Sequence, residues 1–385
     1  MTKVLRILQV DSGIHAWDGT LKYVKDISSA LASRGHAVTI ACPRQSIQAR
    51  CADELGLRKI ALEMRSANDW TQLPGFVRTV AGKYDVVHIH SPLDYVVPAV
   101  AARIVRVPAV VMTRHLPHPF ASSRNAYICA SLLYDRIIAV SGFVRNVMVE
   151  SGVRPERIEV VPNGIALTKP DPNAGLRLRE ELGIPRDAVL IAAAGRISPQ
   201  KGFDILLKAV HQLTQAGVAV YCVVFGAGPA FEDLRALAAT LQLGARLRLP
   251  GFRSDVAGLW SAADVAVVPS VWPEPFGYVA LEALSAGCAV VASRVGGLPE
   301  VLSADSAILT EPGDVEGLTA ALRRLVLSPE LRSRMRQAAS QRARMFTLDA
   351  NVAGVERMYA KLLERPKSAD SAASPGNRHS TRSIW

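Results

Sequence analysis

The segment PSVWPEPFGYVALEA, residues 269–283, carries the strongest pattern in the sequence. The apolar run 265–269 that leads into it predicts a buried strand, and the apolar residues after Gly277 predict a helix. Glu274 lies just before this helix, and Glu282 lies about a turn and a half inside it. Carboxylates accept hydrogen bonds from vicinal hydroxyls, so the two glutamates could bind both ends of a long polyhydroxylated ligand. Spacing alone would leave Glu282 as an ordinary solvated side chain.

Outward from this segment, short apolar runs alternate with longer amphipathic stretches in two series. The predicted strands of the first series are residues 4–10, 37–41, 86–90, 107–113 and 136–140. Those of the second series are residues 189–194, 218–225, 247–249, 265–269, 289–293 and 307–310. Parallel strands need helical crossovers, so this alternation predicts an α/β fold with two doubly wound parallel sheets.

The chain length predicts two domains, because 385 residues exceed the size at which a single core keeps growing. We predict a Rossmann-like first domain over residues 1–165 and a second over residues 166–345, joined at a proline-rich junction. A helix is expected over residues 346–364. The Ser-, Pro- and Arg-rich residues 365–385 are expected to form a disordered tail.

Composition narrows the class of protein. Hydrophobic residues make up 49% of the chain and charged residues 21%, which excludes a disordered or fibrous protein. The net charge of +11 suits an anionic substrate, an anionic membrane surface or nucleic acid. No long basic run supports nucleic acid, so we do not expect it as a partner.

The cysteines and the apolar runs indicate the compartment. Five scattered cysteines without a C-x-x-C pair predict neither a disulfide framework nor a zinc site. No apolar run reaches the length of about 20 residues that spans a bilayer. We therefore expect a cytoplasmic protein, with peripheral contact with the inner face of the membrane left open.

A candidate phosphate site precedes the glutamate segment. Gly195 and Arg196 end a predicted strand, and Lys201 stands at the start of the next predicted helix. Free backbone N–H groups and the partial positive charge of a helix N-terminus bind anions, and two cations would strengthen such a site. An ordinary strand-to-helix loop with surface cations explains the same residues equally well.

Five motifs that follow one another along the chain resemble the motifs of a known family, the retaining glycosyltransferases of the GT-B fold called family 4. The two glutamates resemble the E-x7-E signature of that family. The other motifs are DVVHIH at 85–90, VPNG at 161–164, the Gly195–Gly202 loop, and GGLPE at 296–300. The resemblance covers about residues 4–362. It implies two Rossmann-like domains that face a central cleft, with the last helix crossing back to the first domain.

The resemblance also implies roles for residues of the second domain. Gly195, Arg196 and Lys201 would bind the diphosphate of a nucleotide-sugar donor, and Glu282 would bind its ribose. Glu274 would hold the transferred sugar, together with the backbone of Phe276 and Gly277.

Two further matches lie in the first domain. His115 matches a family histidine that faces the sugar across the cleft, and it joins Arg196, Lys201 and Glu274 in the expected catalytic set. Gly19 matches the second glycine of an N-terminal glycine pair that contacts the donor. Asp18 replaces the first glycine of that pair, which leaves the donor contact of this loop open.

The resemblance predicts a retaining hexosyl-type glycosyltransferase of the EC 2.4 class. A nucleotide-diphosphate sugar would be its donor, and a glycan or lipid-linked molecule its acceptor, in bacterial surface polysaccharide or glycolipid synthesis. No D-x-D motif follows a predicted strand, so neither a metal nor a cofactor is expected. Instead, Arg196, Lys201 and a helix N-terminus would stabilise the charge of the departing diphosphate.

Two other classes stay open. One is another GT-B nucleotide-sugar enzyme, either an epimerase, which turns over the donor without an acceptor, or a phosphorylase, whose cofactor lysine has no evident position here. The other is a non-catalytic nucleotide-sugar-binding protein with a decayed site. Asp18 in place of the glycine slightly favours a decayed site. The presence of four expected site residues opposes it: Arg196, Lys201, Glu274 and Glu282.

Overall fold

The computed structural model of the protein describes residues 3–13, 19–120, 128–167 and 171–364. Two fully parallel β-sheets, each covered by helices on both faces, account for most of them. This architecture confirms the predicted α/β class with two doubly wound sheets. The predictions made for Asp18 and for the tail 365–385 fall outside the described residues.

The first sheet contains seven parallel strands in the order β3-β2-β1-β4-β5-β6-β7. These strands are β1 Arg6–Val10, β2 Ala37–Cys42, β3 Arg58–Ala61, β4 Val86–Ile89, β5 Ala109–Arg114, β6 Arg136–Ala139 and β7 Ile158–Val160. The central strands β4 and β5 are buried at every position, as expected of parallel strands covered on both faces.

The second sheet contains six parallel strands in the order β10-β9-β8-β11-β12-β13. These strands are β8 Val189–Ala194, β9 Val220–Phe225, β10 Leu247–Gly251, β11 Val265–Val268, β12 Ala289–Ser293 and β13 Ala307–Thr310. In both sheets the strand order reverses beside the first strand, between β1 and β4 and between β8 and β11. Ligands of open α/β sheets bind outside the carboxyl ends of the strands at such points.

The α-helices fall into two groups that follow the sheets. Those before the junction are α1 Gly19–Ser33, α2 Ile47–Glu54, α3 Leu73–Val80, α4 Val97–Ile104 and α5 Gly142–Glu150. Those after it are α6 Pro172–Glu181, α7 Phe203–Gln215, α8 Phe231–Thr240, α9 Val256–Ala262, α10 Tyr278–Ser285, α11 Leu298–Val301, α12 Val315–Leu327, α13 Pro329–Ala343 and α14 Leu348–Glu364.

The last helix, α14, packs on the first sheet although the chain reaches it from the second. Its buried face joins α1 and β1 in one apolar cluster. The Tyr359 hydroxyl lies 2.6 Å from Nδ1 of His88 on β4. On the helix surface, Glu356 pairs with Arg34 at 2.6 Å. The first sheet is therefore completed by a distant part of the chain.

The two segments that pass between the sheets run side by side. Ile165 donates its N–H to the Phe346 carbonyl at 3.1 Å, and Leu348 donates back to Ile165 at 2.8 Å. Gly164 is required at this crossing, because a Cβ there would lie 2.2 Å from the Thr347 carbonyl oxygen. The junction is thus a two-stranded connection rather than a single linker.

Candidate active site

A cavity of about 240 Å³ opens between the two sheets, at the carboxyl ends of β8 and β11. Residues of both domains line it. The predicted site residues among them are Gly19, His115, Lys201, Glu274, Phe276 and Gly277. Six residues that the sequence spreads over most of the chain therefore meet in one cleft.

Lys201 and Glu274 form the polar centre of this cavity. The Lys201 ammonium lies 2.5 Å from Oε1 of Glu274, and the Ser270 hydroxyl donates to the same oxygen at 2.6 Å. The Glu274 side chain is only 15% exposed, so the two donors compensate a largely buried carboxylate. The arrangement combines one cation and one hydrogen-bond acceptor at the wall of a ligand-sized cleft.

Gly202 allows Lys201 to reach this position. Residues Pro199–Lys201 form a short 3-10 turn, and Gly202 follows with a left-handed φ of 64° before α7 begins. A Cβ at Gly202 would lie 2.1 Å from the carbonyl oxygen of Pro269, at the end of β11. The turn therefore packs directly on the neighbouring strand end, and this contact directs Lys201 towards Glu274.

Arg196 and Gly195 lie outside the cavity wall. Gly195 directly follows β8 and donates its N–H to the Phe225 carbonyl at 2.9 Å. Arg196 is exposed and forms no ion pair with the residues that the structure describes. The structure thus brings Lys201 to Glu274 but places the predicted second cation, Arg196, at the solvent-facing side of the same strand end.

Glu282 lies at the other end of the E-x7-E segment, on α10. The nearest cation is Lys22 on α1 of the first domain, whose Nζ is 3.8 Å from Oε1 of Glu282 and 3.2 Å from Asp26. Burial raises the pKa of Glu282, and the nearby Lys22 opposes this rise. Since the side chain keeps 28% of its surface exposed, its carboxylate can still be reached by a ligand.

The residues between the two glutamates shape the cavity wall. Gly277 has a left-handed φ of 109° and begins α10, and a Cβ there would lie 2.5 Å from the Leu298 side chain. Phe276 is buried, with its ring centroid 5.8 Å from that of Phe346 in the junction. The sugar-binding part predicted from the sequence is therefore in contact with the segment that joins the domains.

His115 enters the cavity from the first domain, one residue beyond β5. It is 7% exposed, and its Nε2 lies 3.3 Å from Nδ1 of His90. The other nitrogen of His90 lies 2.7 Å from Oε1 of Gln9 on β1. Because that amide oxygen accepts, His90 presents an unprotonated Nδ1 towards His115 when neutral. The Tyr23 ring packs against His115 edge-on, at 4.8 Å.

Gly19 brings the first domain against the second. A Cβ at this position would lie 3.2 Å from the Tyr278 ring at the start of α10. The N-terminus of α1 therefore packs closely on the helix that carries Glu282. The neighbouring Asp18 lies outside the described residues.

Further contacts across the cleft were not predicted from the sequence. The Ser141 hydroxyl donates to the Pro275 carbonyl at 2.6 Å, and the carboxylate of Glu300 accepts two backbone N–H groups at the start of α5. At the rim, the rings of His118 and Trp272 lie 5.6 Å apart. The two domains are thus in direct contact around the cavity.

Within the described residues, no group of three or more His, Cys, Asp or Glu side chains is arranged to hold a metal ion. Within the same residues, no helix combines the length and the apolar character needed to cross a membrane.

Comparison with known proteins gives the family. The family model for glycosyl transferases group 1 matches residues 176–342, and the model for glycosyltransferase family 4 matches residues 17–169. The D-inositol 3-phosphate glycosyltransferase of Acidothermus cellulolyticus is 31% identical, over 90% of this chain and 86% of the relative. The chain belongs to glycosyltransferase family 4. The enzyme of the same name from Corynebacterium efficiens is 31% identical over 88% of this family 4 chain and 87% of its own.

Solved structures establish the fold of this family 4 glycosyltransferase. The Anabaena protein Alr3699/HepE, in complex with UDP and glucose, superposes with a TM-score of 0.81 at 23% identity, over 93% of this chain and 99% of that one. A glycosyltransferase from Rickettsia africae gives a TM-score of 0.85 at 21% identity, over 94% and 100% of the two chains. The fold is GT-B, and the protein is a glycosyltransferase of the hexosyl-transferring EC 2.4 class.

Proposed function

We propose that this enzyme moves a hexose from a UDP-sugar to a hydroxyl group of an anionic acceptor, with retention of the anomeric configuration. The observation that carries the proposal is the Lys201–Glu274 pair, which lies in a cavity that also receives His115 from the first domain. A cation, a hydroxyl-binding carboxylate and an imidazole around one cleft are what a nucleotide-sugar donor requires.

The donor would lie along the carboxyl end of the second sheet. Lys201 and the N-terminus of α7 would hold its diphosphate, because a cation and open backbone N–H groups both favour anions. Glu282 would accept hydrogen bonds from the ribose, and Glu274 from the transferred sugar. Exposed Arg196 would join the diphosphate once the donor is bound. The Anabaena relative in complex with UDP and glucose supports a uridine donor.

The reaction needs no protein nucleophile under this proposal. The acceptor oxygen attacks the anomeric carbon on the face that the diphosphate leaves. The bond between that carbon and the diphosphate breaks, and the acceptor proton passes to the departing phosphate oxygen. Lys201 stabilises the negative charge that develops there, and contact between the domains excludes water. His115 would orient the sugar from the opposite wall.

Two acceptor classes fit the basic net charge of the chain. The names of the relatives from Acidothermus and Corynebacterium favour a phosphorylated cyclitol. The sequence pattern alone favoured a lipid-linked or glycan acceptor of a surface polysaccharide or glycolipid pathway. Both place a hydroxyl beside an anionic group, which a chain of net charge +11 attracts. The matches to these relatives span 90% and 88% of this chain, so we propose the phosphorylated cyclitol first.

A two-stage experiment tests the donor and then the acceptor. Thermal shifts with UDP, GDP, ADP and their hexoses should select UDP, because a ligand that binds only the folded state raises the apparent stability. Transfer from the selected donor is then measured with D-inositol 3-phosphate, with unphosphorylated inositol, and with a polyprenyl-diphosphate-linked sugar. Transfer only to the lipid-linked sugar would replace the first acceptor by the second.

The same assay separates the other enzyme classes. Conversion of the donor to an epimer in the absence of any acceptor would indicate an epimerase. No thermal response to any nucleotide would contradict the donor assignment as a whole and would favour a decayed site.

A further inference from the structure

We propose that Glu300 is a positioning residue that holds the cleft closed over the donor and thereby fixes the loop that carries Glu274. Glu300 lies on α11 of the second domain, and it contacts the first domain rather than the cavity. The proposal rests on the donor site described above, and Glu300 itself is not a member of the catalytic set.

The carboxylate of Glu300 binds the start of α5 in the first domain. Its Oε2 accepts the Gly142 N–H at 2.7 Å, and its Oε1 accepts the Phe143 N–H at 2.6 Å. The third N–H of the helix, from Val144, is accepted by the Ser141 hydroxyl at 3.1 Å. The open donors of this helix terminus are therefore divided between its own cap and a carboxylate of the other domain.

Charge and shape both suit this contact. A helix N-terminus carries a partial positive charge that a carboxylate stabilises, so the contact gains more than two neutral hydrogen bonds would. Gly142 permits the close approach, because a Cβ there would lie 3.2 Å from Oε2 of Glu300. When the domains separate, the hydrogen bonds between the two N–H groups and the carboxylate are lost, and hydrogen bonds to water replace them.

Helix α11, which carries Glu300, is anchored by hydrogen bonds from α13. The Arg342 guanidinium of α13 donates to the Glu300 carbonyl and, at 2.9 Å, to the Val301 carbonyl. These hydrogen bonds anchor α11, and with it the backbone of Glu300, to α13 of the second domain.

The turn just before α11 also contacts the loop that carries Glu274. Just before α11, Gly297 donates its N–H to the Glu274 carbonyl at 2.7 Å. A Cβ at Gly296 would lie 2.1 Å from that carbonyl oxygen, so the turn and the loop are in direct contact. On the other side, Ser141 donates to the Pro275 carbonyl at 2.6 Å. The loop that carries Glu274 is thus held between the turn at Gly296 and Gly297, just before α11, and the start of α5, to which Glu300 binds.

Closure by Glu300 would act on the donor in two ways. A donor that needs the closed form binds with an affinity proportional to the fraction of molecules that are closed, so a smaller closed fraction weakens its binding. An open cleft also admits water, so more donor is hydrolysed for each sugar transferred.

The test compares Glu300→Gln with Asp314→Asn. Gln keeps the size of Glu but offers one acceptor oxygen and no charge. Asp314 caps the start of α12 within the second domain, accepting the Gly317 N–H at 2.9 Å, and serves as the control for loss of a cap. We expect a rise of about 3- to 10-fold in the donor KM and more hydrolysis per transfer for Glu300→Gln, and neither change for Asp314→Asn.

Small-angle X-ray scattering gives a readout without catalysis. The free Glu300→Gln protein should have a larger radius of gyration than the wild type, and Asp314→Asn should not. Equal kinetics and equal scattering for wild type and Glu300→Gln would overturn the proposal. If the wild type transfers no sugar, the proposed function fails, and scattering alone then decides on Glu300. Gly142→Ala, which pushes a methyl group towards the carboxylate, should reproduce the expansion if Glu300→Gln folds poorly.

Discussion

The ammonium of Lys201 lies 2.5 Å from Oε1 of Glu274, although 73 positions of sequence separate the two residues. Each side chain reduces the cost of placing the other in a partly buried cleft. A diphosphate that enters the cleft offers Lys201 a second anion, and sugar hydroxyls offer Glu274 new donors. The free enzyme therefore holds both groups in place for the ligand.

Replacing Lys201 by alanine should lower kcat by a factor on the order of 10² or more, because the developing charge on the diphosphate loses its cation. Steady-state kinetics with the selected donor measure the effect. Lys208→Ala is the matched control, since Lys208 lies about two helix turns further along the chain, on α7, and pairs with Asp204 at 3.0 Å. Near-normal turnover of the Lys201 variant would remove this residue from the catalytic set.

Gly202→Ala should destabilise the protein by about 3 kcal/mol or more, combining backbone strain with a collision against a carbonyl oxygen. Gly217→Ala serves as the control, because it introduces the backbone strain without the collision. Gly217 has a left-handed φ of 76°, but a Cβ there meets no atom within 4 Å, so its cost should be about 1 kcal/mol. Urea denaturation measures both. Equal losses would show that the Pro269 contact does not constrain the turn.

Glu282→Gln should raise the donor KM by about tenfold with little change in kcat, because a charged acceptor for the ribose hydroxyls becomes a neutral one. The measurement is initial rate against donor concentration. Glu232→Gln, on the exposed surface of α8, provides the control for the charge change. An effect confined to kcat would mean that Glu282 acts in the reaction rather than in donor binding.

His88 should make the protein sensitive to acid. Burial lowers its pKa to about 3 in the folded state, against about 6.5 in an unfolded chain. Between these values only the unfolded state binds the proton, so stability falls as the pH drops from 6.5 towards 3, by about 1.4 kcal/mol per pH unit. Above pH 6.5 the effect is absent.

The test compares the pH dependence of thermal unfolding for the wild type and for His88→Gln. The variant loses hydrogen bonds to Tyr359 and Thr113 and should be less stable at neutral pH. Its deficit should shrink as the pH falls to 4, because it carries no proton-linked penalty at this position. His211→Gln, on α7, controls for the loss of an imidazole. Parallel curves for the wild type and His88→Gln would contradict the prediction.

Much of the fold could be predicted from the sequence, because strands such as Val189–Ala194 and Ala289–Ser293 are uninterrupted apolar runs between helical stretches. The edge strand Arg58–Ala61 and helix α2 were missed. The strand is mostly exposed and carries two basic residues, and the helix Ile47–Glu54 is largely polar, so neither has the periodic burial that identifies an element.

The site was predicted in part. The motifs placed Lys201 and Glu274 each just beyond a predicted strand, and the strand order of the sheet, which only the structure shows, makes those two strand ends neighbours. Contacts across the cleft, such as Lys22 with Glu282, depend on how two separate domains are oriented, and no spacing within one motif encodes that orientation. Glu300 was noticed as part of GGLPE, yet its partner is a helix terminus about 160 positions away, whose N–H groups leave no signature in the sequence.

The return of α14 to the first sheet bears on the construction of hybrid enzymes. A hybrid made by joining residues 1–165 of this chain to the later half of a relative would carry a foreign final helix, and His88 would meet an unmatched partner in place of Tyr359. The part of the chain that forms the first domain is therefore encoded in two separate stretches of the gene, residues 1–165 and 346–364. An exchange of the second domain is correspondingly an exchange of the middle of the gene, with two crossover points beside each other at Ile165 and Thr347.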